Sequence, residues 1–135
     1  MTSFMELHGL FNLHQHGFRG GRSCLSQLIA HFDNITRLLE TGQNVDVIYL
    51  DFAKAFDKVD FHVTLQKLEK MGITGKLGCW IHVFLTNRKQ SILVNGCSSE
   101  PTSVISGVPQ GSVLGPLLFL VLLGDIDRNV KQAFV

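Results

Sequence analysis

One stretch near the end of the chain carries no charge: VLGPLLFLVLL, at 113–123. A membrane-spanning helix needs about 20 apolar residues, so this stretch is too short for a bilayer and favours a helix buried in a protein core. Pro116 suits such a helix only near its start, because deeper inside it would remove a backbone hydrogen bond and clash with the preceding turn. Other elements of the chain must therefore cover this helix.

The apolar pattern predicts those covering elements. Residues 25–39 repeat at helical spacing, and Gly42 is placed to end that helix. Residues 45–52 alternate and predict a buried strand. Three elements follow: a helix that Asp60 caps and Gly72 closes, a helix over 77–85, and an antiparallel hairpin formed by SILV and TSVI. The order predicts one α+β domain over residues 1–135, with helices packed on one side of a small antiparallel sheet.

Charge is sparse, at 17% of residues, and the formal net charge is +1. Bulk electrostatics therefore gives no support for nucleic-acid binding, which would have to come from local residues. Cys24, Cys79 and Cys97 form no C-x-x-C pair, and the N-terminal residues lack the pattern of a signal peptide. The expectation is an intracellular, reducing location without a membrane.

The stretch VIYLDFAKAFDKVD, at 47–60, places Asp51 at the end of the predicted strand. A carboxylate at the edge of a core is costly unless it is paired, hydrogen-bonded or bound to a metal. Asp51 could cap the turn after the strand, or it could be one ligand of a magnesium site that needs further ligands. Asp57 is predicted to be structural, as a cap or a partner of Lys54 or Lys58. Phe56 is either a core aromatic or the wall of a nucleotide pocket.

The stretch SGVPQGSVLGP, at 106–116, combines three glycines with Pro109 in a sharp turn, and Gln110 offers a donor and an acceptor there. It is either a simple helix-entry loop or a place where backbone approaches a phosphate at a helix N-terminus. The stretch GFRGGRS, at 17–23, sets Arg19 and Arg22 in a glycine-rich turn, where they are either solvated or in contact with phosphate.

Together these stretches resemble the reverse transcriptase domain of non-LTR (LINE-type) retrotransposons. The segment HQHGFRGGRSC, at 14–24, is similar to the family's segment before the catalytic strand, and VIYLDFAKAFDKVD resembles its first catalytic motif. SGVPQGSVLGPLLF, at 106–119, resembles the motif beside the incoming nucleotide, and NRKQSILVNG, at 87–96, fits the intervening hairpin. The resemblance covers residues 14–130 and implies part of the fingers and palm of a right-hand polymerase.

The resemblance implies RNA-directed DNA synthesis, with an RNA template, a DNA primer and deoxynucleoside triphosphates as partners. Asp51, with the backbone carbonyl of Phe52, would bind catalytic magnesium, two ions in the complete family site, which manganese could replace. Phe56 would lie under the sugar and disfavour ribonucleotides. The family acts in the cytoplasm and the nucleus.

The same resemblance assigns the remaining candidates. Pro109, Gln110 and Gly111 would contact the incoming deoxynucleotide or the template pair. Arg19 and Arg22 would lie near the fingers, on nucleic-acid phosphate.

The family's second catalytic motif, which ends in Asp-Asp, does not occur before Val135, and Asp125 and Asp127 do not fit it. The upstream fingers motif and the thumb are not found either. The expectation is a fragment that is inactive alone, because one carboxylate cannot hold two ions about 4 Å apart. The alternatives are a catalytically dead remnant, a domesticated nucleic-acid-binding module, or an unrelated helical interaction domain.

Overall fold

The computed structural model describes residues 1–127, which form two compact units. Of the described residues, the N-terminal unit contains Met1–Ala53 and 124–127, and the central unit is Lys54–Leu123. The resemblance extends to residue 130, so residues 128–130 of that prediction lie outside the described part. No helix among residues 1–127 has the length and apolar character of a membrane span.

Two helices form the regular part of the N-terminal unit, α1 (Thr2–Leu7) and α2 (Cys24–Glu40). Helix α2 begins at a capping box: the hydroxyl of Ser23 accepts from the Ser26 backbone N–H, and the Ser26 hydroxyl accepts from the Ser23 N–H. Gly42, at φ +76°, follows the helix, which confirms the predicted end. None of the α2 residues is buried, however. The apolar face of α2 is therefore not covered by the other described residues.

The predicted strand over 45–52 does not form, and this prediction is wrong. Those residues are irregular, and Ile48, Tyr49 and Leu50 are 82%, 81% and 73% exposed. A strand is stabilised by hydrogen bonds to a neighbouring strand and by burial of its faces. Among the described residues the strand pairs all lie elsewhere, so this segment has neither.

The central unit is built around three helices, α3 (Phe61–Lys70), α4 (Gly75–Thr86) and α5 (Leu114–Leu123). Asp60 caps α3, with its carboxylate accepting from the Val63 N–H at 2.9 Å, as predicted. Helix α3 packs against both α4 and α5. Five residues of α5 are buried: Gly115, Leu117, Leu118, Leu120 and Val121. The charge-free stretch is thus a core helix, with Pro116 in its first turn.

Four short strands form the hairpin: β1 (Lys89–Gln90), β2 (Leu93–Val94), β3 (Cys97–Ser98) and β4 (Thr102–Ser103). Strand β1 pairs antiparallel with β4, and β2 with β3. Asn95 and Gly96, at φ +49° and +80°, form the connecting turn, and positive φ at both positions suits the twist of a two-residue hairpin. The predicted α+β class is confirmed, and antiparallel strands form in the predicted region, although the described core lies among the helices and the strand residues are exposed. The predicted pairing of SILV with TSVI is wrong, because SILV pairs with Cys97–Ser98 of the predicted turn and TSVI pairs with Lys89–Gln90.

Candidate nucleotide and metal site

The turn SGVPQG docks on a short 3₁₀ turn, Ala55–Lys58, inside the central unit. The backbone N–H groups of Gly107 and Val108 donate to the carbonyls of Val59 and Phe56, both at 2.9 Å. The hydroxyl of Ser106 donates to the carbonyl of Asp57 at 2.9 Å. Two motifs about fifty residues apart in the sequence are thereby joined through main-chain oxygens.

This docking requires a glycine at position 107. Gly107 has φ +82°, and a Cβ placed there would lie 2.7 Å from the carbonyl oxygen of Asp57 and 2.8 Å from its Cα. Those neighbours are backbone atoms and cannot turn aside as a flexible side chain would. Close approach of two backbones and positive φ both exclude a side chain at this position.

Gln110 and Asp57 meet through their side chains, with Nε2 of Gln110 donating to Oδ1 of Asp57 at 3.0 Å. Both residues are exposed. The sequence predicted a structural Asp57 that caps or pairs with Lys54 or Lys58. Its observed partner is Gln110, on the other motif, and no local pattern pointed to that contact.

The loop also starts helix α5. The hydroxyl of Ser112 donates to the carbonyl of Pro109 at 2.6 Å and accepts from the Gly115 N–H at 3.0 Å. Gly111 adopts φ +75°, with open space around it. The helix-entry interpretation is therefore confirmed, and it is compatible with a nucleotide contact by Pro109, Gln110 and Gly111, which stays a prediction.

Phe56 is half-buried, and its ring lies against Phe119 of α5 with 5.0 Å between the ring centroids. Helix α5 thus holds Phe56 in place beside the docked turn. The interpretation of Phe56 as a packed aromatic is therefore supported, and the second interpretation, in which it also forms the wall of a nucleotide pocket, stays a prediction.

Arg88 supports the same turn, and sequence reasoning missed it. Its guanidinium donates to the carbonyls of Leu85, at 3.0 Å, and Gly107, and it lies over the ring of Phe61. Burial lowers the pKa of Arg88 by removing the guanidinium from water. The only sequence signal was a basic residue before the hairpin, which does not distinguish a half-buried arginine that binds backbone from a solvated side chain.

Asp51 and Phe52 belong to the N-terminal unit, in the exposed segment that was predicted to be a strand. The expected burial of the Asp51 carboxylate is therefore wrong, and the energetic argument for a metal partner does not apply. Within residues 1–127 the structure shows no hydrogen bond or ion pair to this carboxylate, and no cluster of three His, Cys, Asp or Glu residues that could hold a metal ion. The Asp51 carboxylate could still bind a metal ion as one ligand, if further ligands came from other groups, and this role stays a prediction.

Arg19 and Arg22 also lie in the N-terminal unit, where both bind backbone. Arg19 forms an ion pair with Glu6, with Nη2 of Arg19 2.6 Å from Oε2 of Glu6, and its side chain is 9% exposed. It also donates to the carbonyls of Asn12 and Gln15. Arg22 donates to the carbonyl of Gln15 as well. Both arginines thus organise the loop before α2, and contact with phosphate stays a prediction.

The pKa values of Glu6, in α1, and of His16, in the loop, are both lowered. The hydrogen bond from Arg19 lowers the pKa of Glu6. Loss of hydration lowers the pKa of His16, and the positive charges of Arg22, Arg19 and His14 add to that effect. The ring Nδ1 of His16 lies 2.7 Å from the Ser26 hydroxyl. The neutral imidazole is therefore the form that suits this loop.

The amino-acid sequence of the chain is similar to that of proteins of one family. The family model described as reverse transcriptase (RNA-dependent DNA polymerase) matches residues 1–135. The chain is 32% identical over 128 residues to the probable RNA-directed DNA polymerase from transposon X-element of Drosophila melanogaster, covering 95% of the chain and 14% of that protein. It is 34% identical over 115 residues to the RNA-directed DNA polymerase from mobile element jockey of Drosophila funebris, covering 85% and 12%.

A third relative is the retrovirus-related Pol polyprotein from type-1 retrotransposable element R2 of Popillia japonica. It is 29% identical over 105 residues, covering 78% of the chain and 17% of that protein. The chain therefore spans less than a fifth of the length of each of these three relatives. No solved structure shows significant similarity to the chain.

Proposed function

The chain belongs to the reverse transcriptase (RNA-dependent DNA polymerase) family and resembles its non-LTR retrotransposon members, and on this basis we propose that it forms part of the fingers and palm of such a polymerase. The family model matches residues 1–135, and the motifs that carry the resemblance lie within residues 14–130. The reaction is transfer of a deoxynucleotide to a primer 3′-hydroxyl on an RNA template, with pyrophosphate as the leaving group. The observation that carries the proposal is the docking of the SGVPQG turn on the 3₁₀ turn, since it joins two of the motifs on which the resemblance depends.

Asp51 supplies a metal-binding carboxylate in this proposal, and the carbonyl of Phe52 supplies a second oxygen. Carboxylate and carbonyl oxygens suit magnesium, which usually takes one or two carboxylates together with phosphate oxygens and water. An exposed carboxylate with no partner among residues 1–127 fits that role. Bound magnesium would activate the attacking oxygen and stabilise the leaving group.

The docked turn supplies the nucleotide contacts in this proposal. Gln110 offers an amide, and Pro109 and Gly111 fix the backbone on either side of it. Phe56, held by Phe119 at 5.0 Å, lies under the sugar and disfavours a 2′-hydroxyl. Arg22, which is half-buried, contacts nucleic-acid phosphate. Arg19 lies beside it in the same loop and holds the loop backbone in place through its hydrogen bonds to Asn12 and Gln15.

Primer extension on a primed RNA template tests the function. The chain alone, with one proposed carboxylate ligand, is expected to incorporate no deoxynucleotide, because a two-metal site needs further carboxylates. A longer polymerase, which contains these residues together with the family's Asp-Asp segment, is expected to be active. Asp51→Asn in the longer polymerase should reduce incorporation at least about a hundredfold, the scale of one lost electrostatic contact in the transition state.

Asp46→Asn is the matched control, since it removes the same charge from the same exposed segment. It should stay within about twofold of the unsubstituted polymerase, because an exposed carboxylate outside the site contributes little. Clear incorporation by the chain alone, or equal losses from both substitutions, would contradict the proposal.

A further inference from the structure

The bond between Gln110 and Asp57 differs in kind from the other bonds that dock the turn. Ser106, Gly107 and Val108 all donate to main-chain carbonyls of residues 56–59. Gln110 instead donates to the carboxylate oxygen of Asp57, at 3.0 Å. Docking of the turn therefore uses the backbone around Asp57, whereas the side chain of Asp57 acts on Gln110.

The chemistry of the two groups fixes the orientation of the amide. An ionised carboxylate only accepts hydrogen bonds, whereas a glutamine amide donates at its nitrogen and accepts at its oxygen. Asp57 can therefore hold only the NH₂ end of Gln110. A free glutamine would sample both orientations and several rotamers, and a ligand would have to select one of them.

We propose that Asp57 is a positioning residue that orients the Gln110 amide toward an incoming deoxynucleoside triphosphate. With one N–H held by Asp57, the second N–H and the carbonyl oxygen of Gln110 remain for the ligand. This inference rests on the proposed function, because it requires Gln110 to contact the nucleotide. It also gives Asp57 a role distinct from that of Asp51, since its carboxylate orients a side chain and binds no metal.

The proposal separates orientation from docking, and variants of the chain can test each. Asp57→Ala removes the acceptor and leaves the main-chain carbonyls that hold the turn. Asp57→Glu keeps a carboxylate, which only accepts hydrogen bonds, on a side chain one methylene longer and should rescue the orientation. Ser106→Ala is the matched control, since it removes one bond between the same two segments without touching the Gln110 amide.

Nuclear magnetic resonance of the ¹⁵N-labelled chain reads out the orientation. The side-chain NH₂ signals of Gln110 should move toward free-glutamine values in Asp57→Ala and stay near their original positions in Asp57→Glu and Ser106→Ala. Midpoints of urea unfolding should be similar for Asp57→Ala and Ser106→Ala, because each removes one exposed hydrogen bond.

Titration of the same samples with a deoxynucleoside triphosphate and magnesium reads out the function. Gln110→Ala and Asp57→Ala should each raise the Kd about three- to tenfold, the range of one hydrogen bond. The double variant should be no weaker than either single variant, because both act on one contact. Asp57→Glu and Ser106→Ala should remain within about twofold of the unsubstituted chain.

Two results overturn the proposal, and they are distinguishable. If Gln110→Ala weakens binding and Asp57→Ala does not, the nucleotide contact stands and the positioning role is wrong. If Gln110→Ala has no effect, or the chain shows no saturable shifts, the proposed nucleotide contact itself fails, and the positioning role fails with it.

Discussion

Replacement of Gly107 by alanine tests the docking of the SGVPQG turn most sharply. An alanine held at φ +82° costs about 1–2 kcal/mol. Its Cβ would also meet three backbone atoms of Asp57 at 2.7–2.9 Å, and such overpacking adds about 1–3 kcal/mol. The free energy of unfolding should therefore fall by about 2–5 kcal/mol, a large share of the stability of a small domain.

Gly111→Ala is the matched control for this substitution. Gly111 has a similar φ, +75°, but an added Cβ would meet no atom within 4 Å. Its cost should be the backbone term alone, about 1–2 kcal/mol. Urea unfolding followed by circular dichroism measures both variants. Equal losses in the two would refute the close approach between Gly107 and Asp57.

Further predictions concern the core, the sugar contact and the N-terminal loop. Leu118→Ala, in the fully buried part of α5, should cost about 2–5 kcal/mol in urea unfolding, and a loss below about 1 kcal/mol would contradict its place in the core. Phe56→Val in the longer polymerase should raise the ratio of ribonucleotide to deoxynucleotide incorporation at least about tenfold, since loss of one steric contact is worth about 1–3 kcal/mol. An unchanged ratio would exclude the contact between Phe56 and the sugar. The pKa of His16 is lowered in the folded chain, so its stabilising contribution should be present above pH 6.5 and lost as the pH falls through the folded pKa. Thermal unfolding between pH 7 and pH 5 should depend less on pH in His16→Gln, and equal slopes would refute this linkage.

Local signals predicted the helices and the turn of the hairpin well, but not the pairing of its strands. Asp60 caps α3, and Gly42 and Gly72 follow helices with φ of +76° and +80°, because caps and left-handed residues depend on neighbours in the sequence. Asn95 and Gly96 likewise indicated the turn of the hairpin, because a two-residue turn depends on the residues that form it. The charge-free stretch identified the core helix because no other location suits so many apolar side chains.

Contacts between residues far apart in the sequence could not be predicted from the sequence. Residues 45–52 have the composition of a strand. A strand forms, however, only where a neighbouring segment pairs with it through backbone hydrogen bonds, and composition does not show whether such a segment exists. The pairing of Asp57 with Gln110 joins side chains 53 residues apart, and no periodic pattern encodes that distance. Arg88 was missed for a similar reason, since its burial depends on the turn at Gly107 and the ring of Phe61.

The proposal that Asp51 is a metal ligand is tested most directly by the metal dependence of an Asp51→Cys variant of the longer polymerase. Magnesium prefers oxygen ligands, whereas a thiolate favours softer ions. Primer extension by Asp51→Cys should be at least about a hundredfold slower than that of the unsubstituted polymerase with magnesium, and manganese or cadmium should restore a large part of the loss. Equal losses with every ion would contradict metal binding by Asp51.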